Sequence, residues 1–318
     1  MLGIILYFSK LKKSGLIKNS HKAHVALLAA NIIYGINHIV AKDIMPSKIG
    51  ASALVFIRIF IAAILFWILK SFIGERVARK DLYLLMLCGL LGVTTNMLLF
   101  FHGLSLTSPI DASIIMTSGP VMVLFFSSIF LKEKITSRKI LGVAIGAIGA
   151  ILLVWYGRNA TGTSSLLGNV FVFVNACSYA LYLVFVKPMM KKYHAITVIS
   201  WVFLFGFIFM FPFGINDLIS TDFSAFTLST YAVIAFVVLG TTFLAYLFNI
   251  FALNHVSPSV NSSYIFLQPA ISFIMVTVYA FILNQKRYED DIHPVKIVSC
   301  FLVIIGVYLI SKKKNAIT

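Results

Sequence analysis

Ten stretches of this chain run for about 20 residues each with almost no charge, and no other feature restricts its fold so tightly. They fall at roughly 24–42, 50–73, 82–106, 110–131, 139–156, 167–187, 196–215, 229–254, 259–283 and 295–311. At about 1.5 Å per residue, about 20 helical residues cover the roughly 30 Å hydrocarbon core of a bilayer. Inside that core no water completes a hydrogen bond, so a spanning segment must satisfy its own backbone, which selects helix. Composition agrees: 60% of the 318 residues are apolar and 11% charged, against roughly a quarter charged in a soluble domain. A water-soluble globule is excluded, and the expected fold class is an all-α membrane protein with ten transmembrane helices.

The net charge of +16 does not gather on one face, as a nucleic-acid surface requires, but is spread over short segments between apolar runs. It reads as topology. With the amino terminus in the cytoplasm, nineteen basic residues fall on the inner side and six on the outer, with Arg58 inside the second span. That bias places both termini in the cytoplasm and the chain in the cytoplasmic (inner) membrane. Residues 1–23 form a basic cytoplasmic segment and 312–318 a basic tail. Leu2 to Phe8 is too short to span and lacks a small-residue cleavage site. It either lies on the inner membrane surface or derives from an upstream start codon. Cys88, Cys177 and Cys300 sit within apolar runs at no metal-ligand spacing, so packing is expected and neither a disulfide nor a metal site.

The sequence also repeats. Ser108-Pro109, followed eleven residues later by Pro120, returns as Ser257-Pro258 followed eleven residues later by Pro269, an offset of 149. Gly92-Val93-Thr94 matches Gly240-Thr241-Thr242, Lys42 matches Lys187, and Gly149 matches Gly306. The chain therefore divides into a first five-span unit at 24–156, an outer linker at 157–166 and a second unit at 167–311. Five is odd, so the second copy enters the membrane from the opposite face: two inverted-topology five-helix repeats. If the halves hold different conformations, exchanging them turns an outward-open cavity inward. A static channel or scaffold is the alternative. The Ser-Pro pairs occupy short hairpins on opposite faces and are candidate gates. Pro120 and Pro269 are expected near mid-bilayer, each as a hinge or as a static kink.

Polar groups at helical spacing mark faces turned away from lipid. The candidate cavity residues are Asn31, Tyr34 and His38 in span 1, Asn96 and His102 in span 3, and Thr117 in span 4. Span 6 adds Asn175, Tyr179 and Tyr182, span 8 Tyr246 and Asn249, and span 9 Tyr264 and Gln268. Spans 6 and 8 also carry Ser178 and Thr242 in these stripes. Taken singly, each could serve only to bond two helices together; taken together they point to a shared central cavity. Arg58 is the one charge deep in a span. It either pairs with Asp111, caps backbone carbonyls, or attracts a substrate carboxylate. No Asp or Glu lies near the middle of a span, which leaves His38 and His102 as hydrogen-bonding or proton-shuttling groups and disfavours a cationic substrate. Gly142, Gly146 and Gly149 form a small-residue ridge for close packing, inside the chain or against a second copy through helices 5 and 10. Neither a dinucleotide nor a Walker motif is present, so no cofactor is expected.

Phe56-Ile57-Arg58-Ile59 leading to Ala62-Ala63, and Thr107-Ser108-Pro109 running through Pro120 to Leu131-Lys132-Glu133, resemble the EamA-type branch of the drug/metabolite transporter (DMT) superfamily from about residue 22 to 312. The resemblance implies a bacterial inner-membrane carrier whose cavity is lined by spans 1 to 4 and 6 to 9, exporting amino acids or similar metabolites. The second copy departs from the pattern at Leu283-Asn284-Gln285, so any role for the glutamate rests on Glu133 alone. The expected function is secondary export of a small neutral or zwitterionic metabolite, with a lipid-head-group flippase or nucleotide-sugar carrier as the alternative. A membrane-embedded transferase is less favoured, because no acidic or histidine pair stands at ligand spacing. The expected partners are the small-molecule substrate and the lipid bilayer.

Overall fold

The computed structural model describes residues 19–40, 44, 48–106, 115–156, 165–268, 270, 271, 274 and 294–311. Among these there is helix and no strand. In chain order the elements are α1 (Asn19–Val40), α2 (Ala51–Ser71), α3 (Arg79–Gly89), a π-helical turn (Leu90–Thr95), α4 (Asn96–Leu106), α5 (Gly119–Phe130) and α6 (Ser137–Tyr156). The second half gives α7 (Leu166–Lys192), α8 (Ala195–Ile219), α9 (Leu228–Ala235), a second π-helical turn (Phe236–Leu244), α10 (Ala245–His255), α11 (Pro258–Ser263), a 3₁₀ turn (Tyr264–Phe266) and α12 (Pro294–Ser311). Through their π turns, α3 and α4 form one rod, and α9 and α10 another. Five helical rods are long and apolar enough to cross a membrane: Ala51–Ser71, Arg79–Gly103, Leu166–Lys192, Ala195–Ile219 and Leu228–His255. Gly119–Phe130 and Ile297–Ser311 are shorter apolar helices. Of the sequence-derived features, Lys42, Ser108, Pro109, Asp111, Pro269, Leu283-Asn284-Gln285 and the side chain of His38 lie outside the described residues.

The pairing of helices follows the duplication. α1 packs on α10 and α7 packs on α4, so the first rod of each half lies against the third rod of the other. α2 packs on α8, and α6 on α12, each joining equivalent rods. Glycines set the last contact. A Cβ on Gly306 would come within 2.6 Å of Gly146 Cα, one on Gly142 within 2.9 Å of the Gly306 carbonyl, and one on Gly149 within 2.8 Å of the Ser299 carbonyl. The small-residue ridge is thus filled from within the chain, backbone on backbone. The outer faces of this pair, including Ile140, Ile148, Phe301 and Ile304, are exposed apolar surface of the kind lipid covers.

The α2–α8 interface is aromatic instead. Phe56, Phe60, Phe207 and Phe211 form a ladder with ring centroids 5.2–6.3 Å apart, and Phe66 meets Phe203 at 4.9 Å.

Because successive rods alternate in direction, the turns at 72–78, 131–136, 193–194 and 256–257 share one end of the bundle with most of the described lysines and arginines. Side chains tie that lysine-rich end together. Lys192 pairs with Asp81, which also accepts Tyr193 Oη at 2.5 Å. Glu133 pairs with Lys139 and accepts Ser259 Oγ at 3.0 Å. Lys187 Nζ donates to the Leu253 carbonyl and, at 2.5 Å, to that of Val256. These are carbonyls at the C-terminal end of α10, where a cation is favoured. At the opposite end Lys48 Nζ donates to Thr230 Oγ1 at 3.1 Å.

Pro120 differs from its sequence reading. The helix is already interrupted by a turn at Thr117-Ser118, and Pro120 stands in the first turn of α5, where a missing N–H leaves no intrahelical bond unmade. It starts a helix rather than bending the middle of one.

Replacing Gly306 by Leu is expected to destabilise the protein by about 1–3 kcal/mol through overpacking against α6. The lowered melting temperature of the detergent-solubilised protein would report it. Ile304→Leu, on the exposed face, should leave that temperature unchanged.

Candidate functional site

The two π turns coincide with the matched sequence segments: Gly92-Val93-Thr94 lies within Leu90–Thr95, and Gly240-Thr241-Thr242 within Phe236–Leu244. A π turn widens the helix, breaks the regular i→i−4 ladder and leaves carbonyls to be bonded from outside, which is why such turns cluster at functional sites. Here the neighbours supply the donors. Ser178 Oγ of α7 donates to the Leu91 carbonyl at 2.7 Å, and Tyr246 Oη of α10 to the Gly92 carbonyl at 3.2 Å. The glycine is required, because the Tyr182 ring occupies the place a Cβ at Gly92 would take. In the second turn the Val237 carbonyl accepts both Thr241 Oγ1 at 2.5 Å and Thr242 Oγ1 at 3.0 Å.

Arg58 meets this second turn. Its side chain is buried, Nε donates to Thr242 Oγ1 at 2.9 Å, and the guanidinium stands over the Phe101 ring at 5.3 Å. Tyr34 and Tyr246 lie within electrostatic reach of the guanidinium, and Tyr179 and Tyr182 within reach of those two phenols. A hydroxyl and a ring face are weak compensation for a cation removed from water. Arg58 therefore sits buried within reach of two phenols, Tyr34 and Tyr246, with no ion pair among the described residues.

Two amide clusters flank this centre. On the α1 side, Gln268 Nε2 donates to Asn31 Oδ1 at 2.9 Å and Asn31 Nδ2 to the Leu27 carbonyl at 2.8 Å. Asn261 Nδ2 donates to the Asn249 carbonyl at 3.2 Å, and Asn249 Nδ2 reaches the Ala245 carbonyl at 2.8 Å and Tyr34 Oη at 3.5 Å. On the α7 side, Asn175 Nδ2 donates to the Asn96 carbonyl at 2.5 Å, while the buried Asn175 Oδ1 bonds nothing among the described residues.

Of the sequence-predicted residues, Asn31, Tyr34, Asn96, Asn175, Tyr179, Tyr182, Tyr246, Asn249 and Gln268 are brought into these clusters. Thr117 is buried in the turn that precedes α5. Two lie apart. Tyr264 bonds His24 Nδ1 at 2.7 Å toward the lysine-rich end, and His102 bonds Ser52 Oγ at 3.2 Å toward the other. Thr242 and Lys187 carry more of the geometry than the sequence assigned them. The repeated glycine–threonine segment was the signal for the first, and the Lys42–Lys187 match for the second. No group of three or more metal-ligating side chains occurs among the described residues.

Apolar rods long enough to cross a membrane, packed around a buried polar centre, mark a multi-pass helical membrane protein. The chain belongs to the EamA-like transporter family, whose pattern matches residues 21–155 and again 166–312, within the drug/metabolite transporter superfamily. It is 25% identical over 314 residues to the uncharacterized transporter YetK of Bacillus subtilis (strain 168), covering 96% of this chain and 92% of that one. It is 26% identical over 164 residues to a probable terminal-alkyne amino-acid exporter of Streptantibioticus cattleyicolor, covering 51% and 54%. A solved crystal structure shares the fold with a TM-score of 0.71 at 13% identity, over 90% of this chain and 95% of that chain.

Thr242→Val removes the acceptor of Arg58 Nε and is expected to cost about 1–3 kcal/mol, the penalty of leaving a buried donor unmade. Thr242→Ser should keep most of it. Thermal unfolding of the two purified variants gives the comparison.

Proposed function

We propose that this chain exports a small zwitterionic metabolite, an amino acid, across the cytoplasmic membrane by alternating access. The framework is ten spans in two inverted five-helix repeats, 24–156 and 167–311, with both termini in the cytoplasm. The observation that carries the reading is Arg58: a buried guanidinium whose described partners are a hydroxyl and an aromatic face. A substrate carboxylate matches the guanidinium with bidentate geometry, and Asn175 Oδ1, without a partner among the described residues, is an acceptor for an ammonium group. A net cation finds no such complement. The pairing of α1 with α10 and of α7 with α4 supports the inverted arrangement, since each is the image of the other under exchange of the halves.

Access alternates through the two hairpins. Ser257-Pro258 is the cytoplasmic gate, held by Lys187 on the Val256 carbonyl and by Ser257 Oγ accepting the Val260 amide at 3.4 Å. Ser108-Pro109 is its outer counterpart, and the helix breaks before Pro120 and, by the repeat, Pro269 are the hinges. Export of an amino acid is also what the name of the Streptantibioticus cattleyicolor relative states of that protein.

In liposomes loaded with labelled amino acids, Arg58→Gln is expected to lower efflux by about tenfold or more, the loss of one charge-assisted contact, while the protein remains folded. Undiminished efflux would overturn the carboxylate assignment. Movement of lipid head groups without amino-acid flux would favour a flippase. Single cysteines at Lys134 and Asp222 should label from opposite sides of the membrane, Lys134 from within.

A further inference from the structure

At the lysine-rich end lies a cavity of about 570 Å³ whose wall includes the Val256-Ser257 hairpin but whose basic rim the transport reading does not use. It is framed by the start of α1, the 131–136 turn, the hairpin between α10 and α11, and the last turn of α12. Its polar lining is basic: Lys134, Arg138, Lys139, His24 and His255, with Glu133 as the acid. Glu133 is already committed to Lys139 and to Ser259. Lys134 and Arg138 are exposed and take part in neither of the two ion pairs found among the described residues. The cavity also meets the first turn of the 20-residue helix α6. Thr136, part of the lining, bonds the Lys139 amide there through Oγ1 at 3.3 Å. The amino-terminal end of a helix is its positive pole, so dipole and side chains act with one sign.

The remaining wall is apolar, made by Val256, Val260, Leu309 and Ile310. Basic rim and apolar wall together describe an amphiphile. A small free anion uses only the rim, whereas a phospholipid uses both, and the helix ends around the cavity stand where head groups lie. We propose that this cavity binds an anionic phospholipid of the surrounding leaflet. Lys134 and Arg138 hold its phosphate, and Val260 and Leu309 receive the upper part of an acyl chain. The Proposed function enters only in making this the cytoplasmic leaflet.

The test uses the full chain in detergent, with native mass spectrometry and thermal unfolding as readouts. The probes are phosphatidylglycerol, phosphatidylcholine and inorganic phosphate. Phosphatidylglycerol is expected to remain bound and raise the melting temperature, and the other two are not. Lys134→Gln/Arg138→Gln should weaken phosphatidylglycerol binding by about tenfold or more. Arg76→Gln/Lys191→Gln removes two exposed charges from the same end outside the cavity and should leave binding intact. Equal loss in both variants would reduce the effect to diffuse attraction and overturn the site. Equal stabilisation by phosphate alone would overturn the lipid in favour of a free anion. Binding is read without flux, so a chain that exports no amino acid still decides this proposal.

Discussion

Inside hydrocarbon every irregularity in a helix has to be answered by a donor from protein, because water is absent and an unmet carbonyl costs several kcal/mol (roughly, in apolar surroundings). That constraint organises the centre of this molecule. Two π turns open the backbone at equivalent places in the two halves, and the side chains that close the first come from rods that consequently have to lie alongside. Ser178 and Tyr246 are fixed by the carbonyls of Leu91 and Gly92. The polar cluster is thus a consequence of how the helices are built.

The two halves meet the same demand differently. The first turn is closed from outside, by α7 and α10; the second closes itself through Thr241 and Thr242, and Thr242 then receives Arg58 from α2. The matched segments thus carry unmatched bonding.

Much of this was legible in the sequence, for identifiable reasons. Lysines do not cross hydrocarbon, so their distribution gave the common end of the turns at 72–78, 131–136 and 193–194 before any coordinates. The glycine ridge of α6 implied close packing, and only coordinates could show that Gly306 of α12 fills it. Tyr264 was grouped with Gln268 on a 3.6-residue period, but the chain passes through a 3₁₀ turn at Tyr264–Phe266, which rotates the face and leaves Tyr264 on His24. The bond from Arg58 to Thr242 joins residues 184 apart, and no local pattern specifies such a pair. The π turns themselves have no single-sequence signature; what marked them was recurrence of glycine and threonine at one offset.

The α6–α12 pair has a further consequence. These helices meet at three glycine positions, where backbone atoms and the side chains of Leu302, Leu309 and Ile310 would stand within 3.0 Å of an added Cβ, so the seam leaves little room to slide. Under the proposed exchange of the halves, a seam this tight is the natural stator. Spin labels placed on the outer faces of α6 and α12 would then keep a constant separation through a turnover cycle, giving a fixed ruler against which the travel of every other rod can be measured.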